Sequence, residues 1–454
     1  MISVRTYGFM AWALVLCAVP ACSSGGAAPL AADGGTSADS ASGASSTSSG
    51  SGPTGGSDSG SVDAGTADSG SSGGSGSSDG GDSGDADGCS PGLTQCFSSS
   101  AVQICGTTGL WGTPWPCATG TCSNGACAGS TTSGASCQTS GPGLSNCGGL
   151  PDPGGAGTAG GENCCTSQEV AGGTYNRTYT NSGDGPTDEA DPATVSGFRL
   201  DKYMVTVGRF RQFVNAVLPA DGGSGWVPLP GSGKHTHLNN GQGLAGDADA
   251  GAYEPGWVAT DDSNVAPTDM SLACDTMGHN TWTSTVGGQE NLPIVCLNWW
   301  EAYAFCIWDG GFLPSEAEWE YAAAGGGEER EYPWGSTDPG VLNQYAIYGC
   351  YYPSGIPICF GEATIAPVGT ATLGAGRWGQ LDLAGNAFEW NLDWSAPSFA
   401  DPCTNCATLT ESATRVIIGG SFSYPDDYLA PSDTYLAPPA AGNANTGFRC
   451  ARTP

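Results

Sequence analysis

The sequence predicts a chain in three parts: a disordered tether, a small disulfide-stapled module, and one globular domain of mixed, largely irregular structure. Three observations carry that reading. Of 454 residues, 75 are Gly and 30 are Pro, and only 12% are charged, against a usual quarter or so, so part of the chain is spacer. Twenty cysteines in a chain of this size suit an oxidising compartment and not a reducing cytosol. The 14 Trp, 15 Tyr and 12 Phe suffice for a sizeable core, and no apolar run beyond the N-terminus is long enough to span a bilayer. Twelve Lys and Arg against 44 Asp and Glu give a net charge of −32. That charge repels nucleic acid and anionic lipid headgroups, which excludes a nucleic-acid partner.

Residues 1–21 read as a secretory signal, with Arg5 in the n-region, an apolar stretch from Tyr7 to Val19, and a small residue before a cysteine. Val19-Pro20-Ala21-Cys22 resembles a bacterial lipobox, which would make Cys22 the lipidated first residue and join the chain to a membrane through a lipid anchor. The alternative is ordinary signal cleavage nearby. Neither Ser23 nor Ser24 is an aspartate, so the expected location is the outer membrane or cell surface, with periplasm or secretion as the alternative. Residues 22–88 are nearly all Gly, Ser, Ala, Thr and Asp, with no Lys or Arg. Such a segment cannot bury enough surface to offset its conformational entropy and is expected to be disordered. As a Gly/Ser coil it would reach roughly 45 Å. Asp79, Asp82, Asp85 and Asp87 lack the closing bidentate Glu of an EF-hand loop.

Cys89, Cys96, Cys105, Cys117, Cys122 and Cys127 define a module over 89–129. An exported unit this small needs staples, and the gaps lack the paired knuckles of a zinc site, so three disulfides are expected. Cys137, Cys147, Cys164 and Cys165 in a Gly/Pro-rich connector, 130–166, are expected to form two more.

From residue 167 aromatics, aliphatics and nearly all the Arg appear, and 167–454 reads as one domain. Phe210, Phe213, Val214 and Val217 recur with helical period behind Thr206 as N-cap, with Arg209 and Arg211 off the apolar stripe. Asn298 with Glu301 makes a capping-box start for a helix over Trp299–Trp308, and Ser315 with Glu318 repeats the device for Glu316–Ala324. The long remainder is rich in Gly and aromatics and shows little periodicity.

Several runs then carry a family resemblance in chain order. They are Pro293-Ile294, Asn298-Trp299, Leu313-Pro314-Ser315-Glu316-Ala317-Glu318-Trp319-Glu320-Tyr321, Tyr332-Pro333-Trp334-Gly335 and Pro367-Val368-Gly369. Leu381-Asp382-Leu383-Ala384-Gly385-Asn386-Ala387-Phe388-Glu389-Trp390, Gly419-Gly420-Ser421-Phe422 and Gly447-Phe448-Arg449 follow. Together they resemble the formylglycine-generating enzyme, or sulfatase-modifying factor, family. The resemblance implies an α+β fold related to C-type lectins, with much irregular backbone. It also implies calcium, held by the carbonyls of Ala384, Gly385 and Ala387 and the side chain of Glu389, with Asn343 matching a ligand of a second site. Read without the family, Glu389 could equally pair with a buried Arg such as Arg415 or Arg449.

Enzymes of that family oxidise a cysteine of a sulfatase peptide to formylglycine, using oxygen and a copper ion held by two cysteines that follow Gly-Gly-Ser. Cu(I) selects soft sulfur ligands. Here no cysteine lies between Cys406 and Cys450, and an ungapped count puts Tyr424 and Leu429 at the ligand positions. Ser421 and Trp390 still match residues of the family's catalytic groove, but neither binds copper, so copper is not expected. The resemblance further implies a disulfide between Cys306 and Cys450. Cys350 with Cys359 and Cys403 with Cys406 are close enough for local loops, which leaves Cys274 to pair with Cys296, or Cys296 as a buried free thiol.

Other members of the fold use iron and histidines. His235-Thr236-His237 with His279 would be the ligands available, but they lie in a polar, Gly-rich insert and are expected to be plain solvated residues. The sequence therefore predicts an exported, catalytically silent binding domain that recognises an extended peptide or a surface glycan, with an altered formylglycine-type oxidase as the alternative.

Overall fold

The computed structural model describes residues 94–99, 101–104, 115–116, 122–123, 126–127, 134–137, 140–147, 162–219, 225–246 and 252–454. Every described residue belongs to one compact unit. The signal segment, Cys22, the tether and the pairing of the cysteines within 89–127 lie outside the described residues.

Strands β1 (Thr94–Ser98), β2 (Ala101–Ile104) and β3 (Trp115–Pro116) form an antiparallel sheet, followed by the ribbon of β4 (Cys122–Ser123) and β5 (Ala126–Cys127). The larger body opens with β6 (Ser167–Val170), the long hairpin of β7 (Gly173–Asn181) and β8 (Pro186–Val195), and β9 (Phe198–Asp201). Helix α1 (Val207–Val217), a two-residue β10 (Ala245–Gly246), α2 (Trp299–Trp308) and α3 (Glu316–Ala323) follow. The C-terminal third carries β11 (Phe388–Trp394), β12 (Cys403–Thr404), β13 (Cys406–Ala407), β14 (Arg415–Ile418), β15 (Thr434–Ala437), β16 (Thr446–Gly447) and β17 (Ala451–Arg452). The architecture is mixed α and β, with three α-helices among the described residues and long irregular stretches.

The sheets join distant parts of the chain. β15-β14-β11-β16 forms the largest, and β17 returns to pair with β9, which pairs in turn with β6. All three helices start where the sequence places them. Thr206 Oγ1 accepts from Arg209 N at 3.2 Å. Asn298 and Glu301 exchange side-chain-to-backbone hydrogen bonds, and so do Ser315 and Glu318, which gives both α2 and α3 a complete capping box. Helices α1 and α2 meet through Phe210, Phe213, Phe305 and Phe448, whose rings stack and cross at 5.3–6.3 Å. Aromatic pairs at such spacings add roughly 0.5–1.5 kcal/mol each beyond area burial.

Arg209 and Arg211 leave the apolar stripe, yet both are buried. Arg209 binds Asp201 at 2.9 Å and Asp309 at 2.7 Å, and Arg452 binds the same two carboxylates from the C-terminal strand. Arg211 pairs with Glu290 at 2.6 Å. Opposed charges make burial tolerable for side chains that a helical period alone would leave in water.

Disulfides join Cys306 to Cys450, Cys274 to Cys296, Cys350 to Cys359 and Cys403 to Cys406. In the connector Cys137 pairs with Cys165 and Cys147 with Cys164. This connector packs into the domain. Ser136 N donates to Asp309 Oδ1 at 2.7 Å, and Thr206 Oγ1 donates to the carbonyl of Gly143.

Candidate functional site

Strand β14 is followed by Gly419 and Gly420, both at positive φ. A side chain at Gly420 would meet the carbonyl of Tyr428 at 2.6 Å, so only glycine permits the turn. The chain then folds over Ser421 and Phe422 into a short turn at Asp426–Tyr428. Gly349 N donates to the Tyr424 carbonyl at 2.8 Å and fixes the segment to the neighbouring loop.

This turn builds a cluster of tyrosines. Tyr424 and Tyr428 lie 4.7 Å apart by ring centroid, Tyr428 stacks on Tyr435 at 4.7 Å, and Phe388 closes the group from below at 5.2 Å from Tyr424. The three tyrosines are half-buried and Asp426 and Asp427 beside them are exposed. Burial, with Asp433 and the neighbouring rings, pushes the Tyr435 phenol well up. Leu429 is buried against Ala346, Tyr348 and Ala384. The two positions that an ungapped count sets against copper-ligating cysteines are thus an aromatic platform and an aliphatic core contact. All eight cysteines from Cys274 onward are held in disulfides, leaving no thiolate there for copper.

Ser421 and Trp390 are both fully buried. Ser421 Oγ lies 3.4 Å from Ser423 Oγ, and Trp390 packs in the main core with its indole N–H unpartnered. Neither ring nor hydroxyl is open to solvent.

Glu389 takes the ion-pair alternative. Arg449 donates to its carboxylate at 2.7, 2.8 and 3.0 Å, and Trp319 Nε1 donates at 3.0 Å. Three N–H groups thus hold the two carboxylate oxygens, with the Arg449 Nε–H shared between them. Arg449 also donates to the carbonyls of Asp201, Lys202, Leu381 and Asp382, so a buried guanidinium faces the one carboxylate expected to bind the cation. The carbonyl of Gly385 accepts from Ala387 N. As arranged, the Glu389 carboxylate is committed to Arg449 and Trp319 rather than free to bind a calcium ion. Asn343 sits at positive φ with Oδ1 buried and unpartnered, but among the described residues no cluster of acidic, His or Cys side chains could hold a metal.

The expectation of solvated histidines is corrected. His235 is fully buried, with Nδ1 2.9 Å from Glu254 Oε2 and Nε2 2.9 Å from Glu318 Oε2. Burial alone would lower its pKa, but Glu318 and Glu254 outweigh it and push it up to about 10. The ring is a buried cation between two carboxylates. His279 is buried against Asp275 at 2.6 Å. His237 is half-buried, its ring nitrogens unpartnered, and burial lowers its pKa. Sequence reasoning missed this triad because Glu254 lies in a loop and Glu318 in the first turn of α3, 64 residues further on. The capping role of Glu318 was the only local signal.

The aromatic setting of Arg415 also escaped it. Its guanidinium lies 3.5 Å from the ring centroids of both Trp299 and Trp394. Burial lowers its pKa to about 9, against the pull of Asp393.

Residues 159–454 match the model of the sulfatase-modifying factor enzyme 1-like domain. The chain belongs to the sulfatase-modifying factor family. It is 31% identical over 292 residues to the formylglycine-generating enzyme of Thermomonospora curvata, covering 61% of this chain and 88% of that protein. It is 35% identical over 176 residues to the formylglycine-generating enzyme of Streptomyces coelicolor, covering 37% of this chain and 55% of that protein. An inactive C-alpha-formylglycine-generating enzyme 2 of Mus musculus is 32% identical over 166 residues, covering 35% of this chain and 49% of that protein. This chain thus spans little more than half the length of the Streptomyces relative.

Proposed function

We propose that this chain is an exported, lipid-anchored binding protein whose C-type-lectin-like sulfatase-modifying-factor domain recognises an extended peptide or a surface glycan and carries out no copper oxidation. The observation that carries the reading is the replacement of the thiol pair by Tyr424 and Leu429, with every cysteine from Cys274 onward in a disulfide. A tyrosine platform with acidic neighbours offers stacking faces and hydrogen-bond acceptors, which suit recognition better than redox chemistry. That one mouse relative is named inactive is in keeping with a family that includes members without the reaction.

The decisive experiment is incubation of the protein with copper, oxygen and a peptide containing C-x-P-x-R, followed by mass spectrometry. No conversion of thiol to aldehyde above a denatured control is expected; turnover would overturn the reading and establish the alternative, a formylglycine-type oxidase acting on exported proteins. The similarity to formylglycine-generating enzymes is what keeps that alternative in view. The anchor is tested by expression in a diderm host. The parent should partition into detergent and Cys22→Ser should not, whereas equal aqueous partitioning would leave only a cleaved signal.

A further inference from the structure

The loop closed by the Cys350–Cys359 disulfide presents an apolar tip to solvent. Ile356 and Ile358 are more than half exposed, Phe360 is 74% exposed and Leu342 72%. Gly355 lies against the carbonyl of Val341, and Gly278 against Gly361, so the backbone segments next to exposed Leu342 and Met277 approach the loop. The loop by itself places Ile356, Ile358 and Phe360 in solvent. The tip is braced: Gly355 N donates to Tyr351 O at 2.6 Å, Ile358 N to Cys350 O at 3.1 Å, and Cys350 N to Phe422 O at 2.6 Å.

The whole stretch 339–361 carries no charged side chain, in a chain of net charge −32. Behind the aliphatic tip stand Tyr345, Tyr351 and Tyr352, each half-buried, the amphipathic type that sits between an apolar phase and water. Asp338 and Glu362 bound this uncharged stretch, and Asp275, next but one to Met277, is paired with His279 at 2.6 Å. A contiguous exposed apolar patch marks an interaction site. The net charge disfavours a second copy as occupant, since two such chains repel, and the same charge disfavours an anionic surface.

We infer that this loop inserts shallowly into the interfacial region of a zwitterionic lipid surface of no net charge. A lipid anchor at Cys22, as proposed above, would deliver the loop to a bilayer, but the loop's own affinity does not depend on it. The test therefore uses the chain from residue 22 with Cys22→Ser in every arm, floated with phosphatidylcholine vesicles. The unlipidated parent should float with the vesicles to the same extent at low and high salt. Ile356→Asp/Ile358→Asp/Phe360→Ser should reduce the bound fraction at least tenfold with an unchanged melting temperature. Should that variant misfold, Leu342→Asn/Phe360→Ser gives the same comparison from the rim. A parent that stays with the soluble fraction, or variants that float as well as the parent, would overturn the proposal. So would lipid-free self-association of the parent that the variants abolish, which would assign the patch to contacts between copies.

Discussion

His235 Nε2 meets Glu318 Oε2 at 2.9 Å across 83 residues of sequence, and the same Glu318 oxygen accepts the backbone N–H of Ser315 at 2.9 Å to cap α3. One carboxylate thus ends a helix locally and ties a distant loop to it. Glu254 holds the other ring nitrogen, so the histidine is charged where burial alone would neutralise it.

Removing that cation should be costly. His235→Gln leaves two buried carboxylates facing each other and is expected to lose about 3–5 kcal/mol. The pH dependence follows from a folded pKa raised from 6.5 to about 10. The contribution is fully present below about pH 6.5 and disappears as pH rises through 10. Glu301 and Glu316, pushed up mainly by burial to about 7 and about 8, also weaken the fold as pH rises, but their effect is complete near pH 8. Urea denaturation should therefore show a further fall between pH 8 and 10 in the parent. The same slope in His235→Gln would show that the ring is not charged.

The Glu389–Arg449 pair predicts a response that calcium ligation would not give. Glu389→Ala strands a buried guanidinium and should cost about 3–5 kcal/mol, equally with and without a chelator. A parent melting temperature that falls on chelation would place a metal in this fold and contradict the ion-pair account.

The Cys306–Cys450 bridge closes a loop of 144 residues. On the chain-entropy estimate it stabilises by about 3–5 kcal/mol, and it fastens the C-terminal strand to α2. Non-reduced peptide mapping should recover these two cysteines linked to each other, and Cys306→Ser/Cys450→Ser should unfold at correspondingly lower denaturant. Finding Cys306 free to alkylation in the native protein would break the register of the C-terminal third.

The connector behaves as part of the domain. A chain beginning at residue 167 loses Ser136 from Asp309, Gly143 from Thr206, and Glu162 from Lys202 and Tyr203. It should melt several degrees lower than a chain beginning at residue 130, or fail to fold. Equal melting temperatures would make the connector an appendage.

The three helices were legible because their signals are local. Thr206, Asn298 with Glu301, and Ser315 with Glu318 cap helices through bonds that span three residues. The family was legible for a related reason: ordered motifs such as Gly419-Gly420-Ser421 and Gly447-Phe448-Arg449 are contiguous in the chain. The missing thiol pair was readable from residue types alone. What only the tertiary structure decided is which charges meet. Glu389 had Arg415 and Arg449 as possible partners, and the return of β16 and β17 beside β11 and β9 selects Arg449, leaving Arg415 between Trp299 and Trp394. His235 looked solvated in its Gly-rich insert, and it became a buried cation because two carboxylates from elsewhere in the chain converge on it. The energy of a buried charge depends on its neighbours in space, and composition and periodicity carry no record of neighbours that distant.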